Sequence, residues 1–98
     1  MRVISEKRLR EFWQKNPEAE KAMHEWVKTV RLADWHNFAD VRETFNHSDV
    51  FGGCAIFDVG GNKYRIIAKI AYGLKIVFIR FVLTHKEYDD KKWQTDCK

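Results

Sequence analysis

The sequence contains one proline and two cysteines, and it has no long apolar run. Its apolar stretches fall well short of the ~20 residues that a membrane-spanning helix needs. Ile4 is followed at once by Ser5 and then by charged residues, so we expect no signal peptide, no membrane contact and a cytoplasmic location. Cys54 and Cys97 lie far apart and match no metal-ligand spacing. Two reduced thiols are therefore favoured over a disulfide.

Familiar motifs of metal and nucleotide chemistry are also missing. His24-Glu25 starts like the helix of a zinc protease, but Lys28 stands where the second histidine ligand would be. Gly60-Gly61 is too short for a phosphate-binding loop and leads into a strand pattern instead of a helix. The chain has too few serines to support a Ser-His-Asp arrangement. We therefore expect neither a metal nor a cofactor.

Length and composition predict one globular domain that spans residues 1–98. Hydrophobic residues make up 45% and aromatic residues 14% of the chain, which argues against a wholly disordered protein. Residues 1–50 hold nine basic and nine acidic residues, whereas residues 51–98 hold nine basic and five acidic residues. The whole excess of four positive charges lies in the second half. A positively charged sheet surface that attracts a polyanion is the expected result.

The first half has the periodicity of helices, and residues 2–4 are compatible with a short first strand. Ser5 is expected to cap a helix that ends near Lys15, and Asn16-Pro17 to end it and start the next. Between positions 19 and 30, apolar residues recur at i, i+3, i+4, i+7, i+8 and i+11, which predicts a helix packed on one side. Asn37 is expected to cap a third, short helix through residue 45.

After His47 the pattern alternates, as expected of strands. Residues 55–59, 64–72 and 75–83 are predicted to form three strands, joined by turns at 60–62 and 73–74. Helices followed by an antiparallel meander imply an α+β fold with the helices on one face of the sheet. The other face would then be free to bind a ligand.

Strand periodicity indicates which side chains share a face. In residues 64–72 the even-numbered side chains are expected to meet the helices, whereas Arg65 and Lys69 belong to the other face. In the last strand, even-numbered and odd-numbered residues are expected on opposite sides. Arg80 is the only charge within that strand. Two interpretations of it stay open: an ion pair with Asp58, or a phosphate contact beside Arg65.

Residues 84–89, directly after the last predicted strand, concentrate groups that transfer protons. Their side chains include an imidazole, an ammonium group, two carboxylates and a phenol. RNA can be cut without a metal when its own 2′-hydroxyl attacks the phosphate, which requires a base, an acid and a cation. Arg65 could stabilise the phosphate and His85 could transfer a proton. Tyr88 could stack on a base or assist His85.

Each of these residues also has a purely structural interpretation. Arg65 could pair with Asp58 across the hairpin. His85 could cap the strand end, and Tyr88 could cover the edge of the core. The charged residues that follow His85 could form a solvated helix face, and among them only Lys86 is a candidate phosphate contact.

Two motifs, in this order, resemble those of HigB-type toxins, a branch of the RelE-like ribonuclease toxins. They are Asp58-Val59-Gly60-Gly61-Asn62 with Arg65 after it, and Thr84-His85-Lys86-Glu87-Tyr88-Asp89. The resemblance covers nearly the whole chain, from Met1 to Asp89. It implies a RelE-like fold and cleavage of messenger RNA without metal or cofactor, usually on the ribosome. It also implies that Arg65, His85 and Tyr88 are the catalytic residues.

The resemblance further implies a partner and a binding surface. A cognate antitoxin of helix-turn-helix type would hold the toxin in check by covering or distorting its basic face. DNA would be contacted only through that antitoxin. The expected contacts with RNA are Asn62, Lys63, Lys69, Arg80 and Lys86.

Two other functions remain open at this point. A non-catalytic RNA- or protein-binding module could use the same basic sheet, and composition and charge suit it equally well. The His85–Tyr88 pair distinguishes the two classes, because a binding module needs no titrating group. A nuclease that works without the ribosome is the second alternative, and nothing in the sequence separates it from the ribosome-dependent one.

Overall fold

A computed structural model describes all residues from 1 to 98. Its strands are β1 (Arg2–Ile4), β2 (Asp49–Phe51), β3 (Cys54–Val59), β4 (Tyr64–Ala71) and β5 (Ile76–Thr84). Its helices are α1 (Glu6–Lys15), α2 (Glu20–Leu32), α3 (Phe38–Thr44), α4 (His85–Asp89) and α5 (Gln94–Cys97). Short 3-10 turns lie at Pro17–Ala19 and Tyr72–Leu74. None of the helices combines the length and the apolar character needed to cross a membrane.

The helix caps follow the predicted signals closely. The Ser5 hydroxyl accepts a hydrogen bond from the backbone N–H of Lys7, and the Asn37 side chain accepts one from Asp40. Asn16 departs from the prediction, because its side chain caps nothing ahead of it and donates back to the carbonyl of Phe12 at 3.1 Å. Pro17 consequently starts a 3-10 turn, and α2 begins three residues later.

The strands form one five-stranded sheet in the order β1-β5-β4-β3-β2. The predicted meander of β3, β4 and β5 is confirmed as the antiparallel centre of this sheet. β1 pairs in parallel with β5 at one edge, and β2 pairs antiparallel with β3 at the other. The α+β class is confirmed, with a sheet that is mostly rather than wholly antiparallel. β2 was not predicted, since three residues with largely exposed side chains carry too short an alternation.

The main core lies between the helices and one face of the sheet. It contains 18 buried residues, among them five of the six apolar residues of the predicted stripe and the even-numbered side chains of β4 up to Ala68. The sixth stripe residue, Ala22, is partly buried against this core. Phe57 is at its centre and is fully buried. Its ring contacts those of Trp26, Trp35 and Phe45, at centroid distances of 5.2, 6.1 and 5.5 Å. These contacts join α2, α3 and the sheet.

A β-bulge in β5 changes the faces predicted for that strand. Ile67 of β4 pairs with Phe81, but the next residue, Ala68, pairs with Ile79, so one residue of β5 is left over. Val77 and Ile79 therefore pack in the main core, whereas Phe81 packs against the opposite face. The predicted alternation is wrong beyond position 79, because an inserted residue reverses the alternation of all that follow it.

The opposite face of the sheet is also covered, which corrects the prediction of an open ligand-binding face. The C-terminal tail, residues 90–98, folds back over it and buries Trp93 and Cys97 in a second core cluster with three sheet residues, Cys54, Ile56 and Ile67. Cys54 and Cys97 form a disulfide with their Cα atoms 5.4 Å apart, so the prediction of two reduced thiols is wrong. The distance between the two cysteines along the sequence was a poor guide to their pairing, because the tail returns to the sheet and brings Cys97 next to Cys54.

The central position of Phe57 leads to a prediction about stability. Phe57→Ala should lower the free energy of unfolding by about 3–5 kcal/mol, because it removes a ring from a closely packed aromatic cluster. Urea denaturation followed by circular dichroism measures this loss. Leu74→Ala is a suitable control, since the Leu74 side chain is 71% exposed. Equal losses in the two variants would contradict the assigned core.

Candidate active site

The two motifs singled out in the sequence meet at one end of the sheet. Tyr64, which opens β4, pairs with Thr84, which closes β5. The backbone N–H of His85 donates to the carbonyl of Lys63 at 3.0 Å, which joins the hairpin turn to the start of α4. Thr84 and Glu87 form a reciprocal capping box around this helix start. The predicted helical turn after the last strand is therefore present, and Glu87 is engaged in holding it.

Arg65 lies in the interior of this end of the molecule, only 7% exposed. Its Nε is 2.9 Å from Oδ1 of Asp58, so the predicted structural pairing across the hairpin is present. Nη1 donates to the carbonyls of Asn62 and Tyr64 at 3.1 and 3.2 Å, and Nη2 donates to Oδ1 of Asn62 at 2.6 Å. The three hydrogen bonds use the two Nη1 hydrogens and one Nη2 hydrogen, so the second Nη2 hydrogen has no partner within the chain.

The Tyr88 ring lies between two other side chains. On one side the guanidinium carbon of Arg65 is 4.9 Å from the ring centroid, a cation–π contact. On the other side the ring stacks on Trp93 at 5.1 Å between centroids, with an interplanar angle of 10°. Both faces of the ring are therefore occupied within the chain. The hydroxyl, and not a free ring face, is the part of Tyr88 that is left for chemistry.

Burial raises the pKa of the Tyr88 phenol above its ordinary value, and the neighbouring Arg65 opposes part of that effect. Three carboxylates in the surroundings, those of Asp49, Asp58 and Asp89, raise this pKa further. The phenol is thus a proton donor and not a phenolate at neutral pH.

His85 is the exposed member of the group. Its side chain is 53% exposed, and its Nδ1 lies 3.8 Å from Oδ1 of Asp89, one helical turn further on. This distance exceeds that of a hydrogen bond, so Asp89 does not hydrogen-bond to the imidazole. Since α4 places His85 and Tyr88 three residues apart, the two side chains project from the same side of the helix. We call Arg65, His85 and Tyr88 the candidate cluster.

Three of the five predicted RNA contacts flank the candidate cluster. Lys63, whose carbonyl accepts from the His85 N–H, and Lys86, which follows His85, are both exposed. Asn62 is also exposed and adopts a positive φ of 76° in the hairpin turn. Its side-chain oxygen accepts from Arg65, so Asn62 positions the guanidinium as well as facing solvent.

Lys69 and Arg80 lie elsewhere, further along the opposite face of the sheet. Arg80 Nε and Nη2 donate to the two carboxylate oxygens of Asp96 in α5, at 2.8 and 3.0 Å. Lys69 Nζ lies 4.0 Å from the same carboxylate. The bond from Arg80 lowers the pKa of Asp96, so the carboxylate is ionised at neutral pH. The interpretation of Arg80 as the partner of Asp58 is wrong, because Asp96 of the tail, which no strand pattern could place, pairs with Arg80 instead. The contact of Arg80 with a phosphate stays a prediction.

A cleft of about 640 Å³ lies beside the hairpin turn, and no sequence pattern indicated it. Its polar lining includes His47, Ser48, Asp58 and Asn62. The Ser48 hydroxyl is buried without a hydrogen-bond partner.

No three His, Cys, Asp or Glu side chains in the chain are grouped so that they could hold a metal ion.

Comparisons with known proteins identify the family of the chain. A family model described as HigB_toxin, RelE-like toxic component of a toxin-antitoxin system, matches residues 19–91. The fold and the match define the class: a RelE-like toxin of a toxin–antitoxin system. Within that class, the chain belongs to the HigB family, which confirms the resemblance seen in the two motifs. A toxin of such a system has a cognate antitoxin as its partner.

Curated relatives extend the match to nearly the whole chain. The chain is 30% identical over 92 residues to the mRNA interferase HigB of Escherichia coli O6:H1, a match that covers 91% of this chain and 89% of that protein. It is 28% identical over 92 residues to the mRNA interferase toxin HigB of Escherichia coli strain K12, with 91% and 88% covered. The same identity and coverage hold for the mRNA interferase HigB of Shigella flexneri.

The raised pKa of Tyr88 leads to a prediction about alkaline stability. The pKa of Tyr88 is higher in the folded chain than the value of 10.0 expected in the unfolded chain. The contribution of Tyr88 to stability is therefore complete below pH 10.0 and is lost as the pH rises through the folded pKa. Tyr88→Phe should therefore lose less stability than the wild type between about pH 8 and about pH 11. Urea denaturation at the two pH values measures the difference. An equal loss in both proteins would show that the phenol is not perturbed by the fold.

Proposed function

We propose that this toxin is an endoribonuclease that cleaves messenger RNA on the ribosome, in the cytoplasm, by transesterification without a metal or cofactor. The observation that carries the proposal is the convergence of a guanidinium, an imidazole and a protonated phenol at one end of the sheet. The names of the curated relatives, which are mRNA interferases, support the substrate. The lysines that flank the candidate cluster support a polyanionic ligand.

The proposed reaction uses the 2′-hydroxyl of the RNA as the nucleophile. His85 accepts the proton of that hydroxyl, since its imidazole is the exposed basic group of the candidate cluster. The 2′-oxygen attacks the adjacent phosphorus, and the bond to the 5′-oxygen of the next nucleotide breaks. Tyr88, whose phenol remains protonated, donates its proton to this departing oxygen. The products are a 2′,3′-cyclic phosphate and a 5′-hydroxyl.

Arg65 contributes the positive charge in this scheme. Its interior position and its bonds to Asp58 and Asn62 keep the guanidinium fixed, so it does not need to reorganise as negative charge develops on the phosphate. The free Nη2 hydrogen can bond to a phosphate oxygen. Arg65 also supports the Tyr88 ring from one side, and its loss would affect both the charge and the position of the proton donor.

The surrounding surface suits a long anionic ligand and a protein that blocks it. Lys63 and Lys86 contact the RNA backbone on either side of the scissile phosphate, and Asn62 contacts the nucleotide at the hairpin turn. Lys69 and Arg80 add contacts further along the sheet once Asp96 leaves them. The antitoxin, of helix-turn-helix type, covers or distorts this surface and provides the only contact with DNA.

The assignment of His85 predicts a loss of activity on substitution. His85→Ala should lower the rate of mRNA cleavage by about 10²–10⁴, the usual contribution of a general acid or base. Cleavage of a defined messenger in a purified translation system measures the rate, and relief of growth arrest in cells provides a second measurement. His36→Ala is the matched control, because His36 is also exposed but lies near Lys75, at the opposite end of β5. A folded His85→Ala variant with full activity would show that the catalytic site lies elsewhere, whereas a wild-type protein that stops growth without cleaving the messenger would favour a non-catalytic RNA- or protein-binding module.

The proposed nucleophile predicts the chemistry of the products. The upstream fragment should end in a 2′,3′-cyclic phosphate or in the 3′-phosphate formed from it, and a 2′-deoxy nucleotide at the cut position should resist cleavage. Mass spectrometry of the fragments identifies these ends. Parallel reactions with free RNA and with programmed ribosomes would show whether the ribosome is required. A 3′-hydroxyl end, or cleavage at the deoxy position, would refute the mechanism, since hydrolysis of that kind normally uses metal-bound water.

A further inference from the structure

We propose that Lys69 and Arg80 form a phosphate-binding subsite, that Asp96 occupies this subsite in place of a phosphate, and that the Cys54–Cys97 disulfide keeps it there. Reduction of the disulfide would open the subsite to RNA. The inference rests on the proposed function, because the ligand it assigns is the backbone of the RNA substrate. It adds a regulated subsite to the candidate cluster.

The contacts of Asp96 are those that a phosphate would make. Arg80 meets the carboxylate with two donors, Nε and Nη2, which is the fork geometry that guanidinium groups also use for phosphate oxygens. Lys69 adds a second cation 4.0 Å away. One carboxylate from the chain's own tail thus pairs with two basic side chains on the opposite face of the sheet.

The ion pair alone would not resist a polyanion. The side chains of Arg80 and Asp96 are 42% and 31% exposed, and ion pairs at such positions contribute little by themselves. An RNA strand that makes several phosphate contacts at once would displace an unattached carboxylate. Whether Asp96 stays on Arg80 therefore depends on how firmly the tail is attached to the sheet.

The disulfide holds the tail at the residue next to Asp96. Cys97 is bonded to Cys54 in β3, and its carbonyl accepts a hydrogen bond from the backbone N–H of Gly53 at 2.7 Å. A side chain at Gly52 would collide with the same carbonyl, so the strand and the tail are in close contact. Because the attachment is one residue away, Asp96 is kept at a high effective concentration beside Arg80.

The subsite lies within reach of the same RNA strand as the candidate cluster. Arg65 and Lys69 are four residues apart in β4, a separation of about 13 Å at the usual rise of a strand. A few nucleotides span this distance. Opening the subsite would therefore lengthen the contact with a strand already bound at the candidate cluster, and it would leave the cluster itself unchanged.

The chemical environment gives the disulfide a role as a switch. A toxin that cleaves messenger RNA acts in the cytoplasm, where disulfides are usually transient and catalytic or redox-sensing. A dithiol reductant attacks one sulfur as its thiolate, which breaks the Cys54–Cys97 bond and forms a mixed disulfide. The second thiol of the reductant then resolves it. Two electrons and two protons pass to the cysteines, and the reductant leaves as a cyclic disulfide.

Reduction should release α5 alone. α5 is a single turn at the chain terminus, the kind of segment that opens locally at little cost. Trp93 has its own attachments outside the disulfide, since it stacks on Tyr88 and its indole N–H donates to the Tyr88 carbonyl at 2.9 Å. The support of the Tyr88 ring should therefore survive while Asp96 leaves Arg80.

The test compares oxidised and dithiothreitol-reduced protein in binding to a fluorescent, uncleavable 2′-O-methyl RNA oligonucleotide. Reduction should tighten binding by about three- to tenfold and steepen the slope of log K against log salt by about 0.7 for each additional phosphate that the protein binds. Asp96→Asn should bind tightly in both redox states. Cys97→Ser should also bind tightly and show no response to reductant. Circular dichroism should show that the domain stays folded on reduction.

Asp90→Asn is the matched control, because it removes the same charge from the same tail at a residue that contacts no basic side chain of the subsite and only caps the N–H of Lys92. It should behave as the wild type. Equal affinity and salt slope of the two redox forms, an Asp96→Asn variant no tighter than Asp90→Asn, or an oligonucleotide that binds neither form would overturn the proposal. If the reduced chain unfolds, the oxidised Asp96→Asn variant still decides it. A preserved redox response with no cleavage in any form would instead refute the proposed nuclease function.

Discussion

The Arg65 guanidinium is the interaction on which the candidate site depends. A cation in the protein interior is costly unless it is paired and hydrogen-bonded, and removal of one partner of a buried pair typically costs ~3–5 kcal/mol. Asp58 and Asn62 meet this requirement from the hairpin, and Tyr88 meets it from α4. Arg65 therefore joins the hairpin to α4 within the folded chain itself. Deletion of the Arg65 side chain would therefore affect the fold as well as the proposed stabilisation of charge.

The chain of contacts continues from Arg65 into the tail. Tyr88 lies between Arg65 and Trp93, and Trp93 packs in the second core cluster with the disulfide. This arrangement explains why a segment rich in charged residues is ordered here. Two apolar anchors, Trp93 and Cys97, are spaced so that both reach the sheet, and the charged residues between and before them stay outside. The tail is thus a structural part of the domain that also neutralises part of its basic surface.

Several features followed directly from sequence patterns. The Ser5 and Asn37 caps and the stripe of α2 depend on contacts within a few residues, and the structure contains them as predicted. The hairpin turn is equally local, since Gly60, Gly61 and Asn62 all adopt the positive φ that this pair of strands requires. The meeting of His85 with the hairpin could be expected too, because antiparallel neighbours of similar length bring the start of one strand to the end of the next.

Other features have no local signal. The bulge in β5 reversed the expected faces because the extra residue is defined only against the partner strand. The parallel pairing of β1 with β5 joins residues that lie far apart along the chain. The covered sheet face, the disulfide and the capture of Arg80 by Asp96 all arise from the return of the tail, which depends on two apolar side chains in a polar segment.

The sequence by itself thus determined the class of fold, the family and the chemical groups of the candidate cluster, since these reside in short motifs and in periodicity. Only the tertiary structure decided how those groups are used. It placed Arg65 in the interior, occupied both faces of the Tyr88 ring, and assigned Arg80 and Lys69 to an internal carboxylate. The physical reason is that hydrogen bonds and ion pairs of these side chains are formed with residues distant along the chain, and packing selects those partners only when the whole domain has folded.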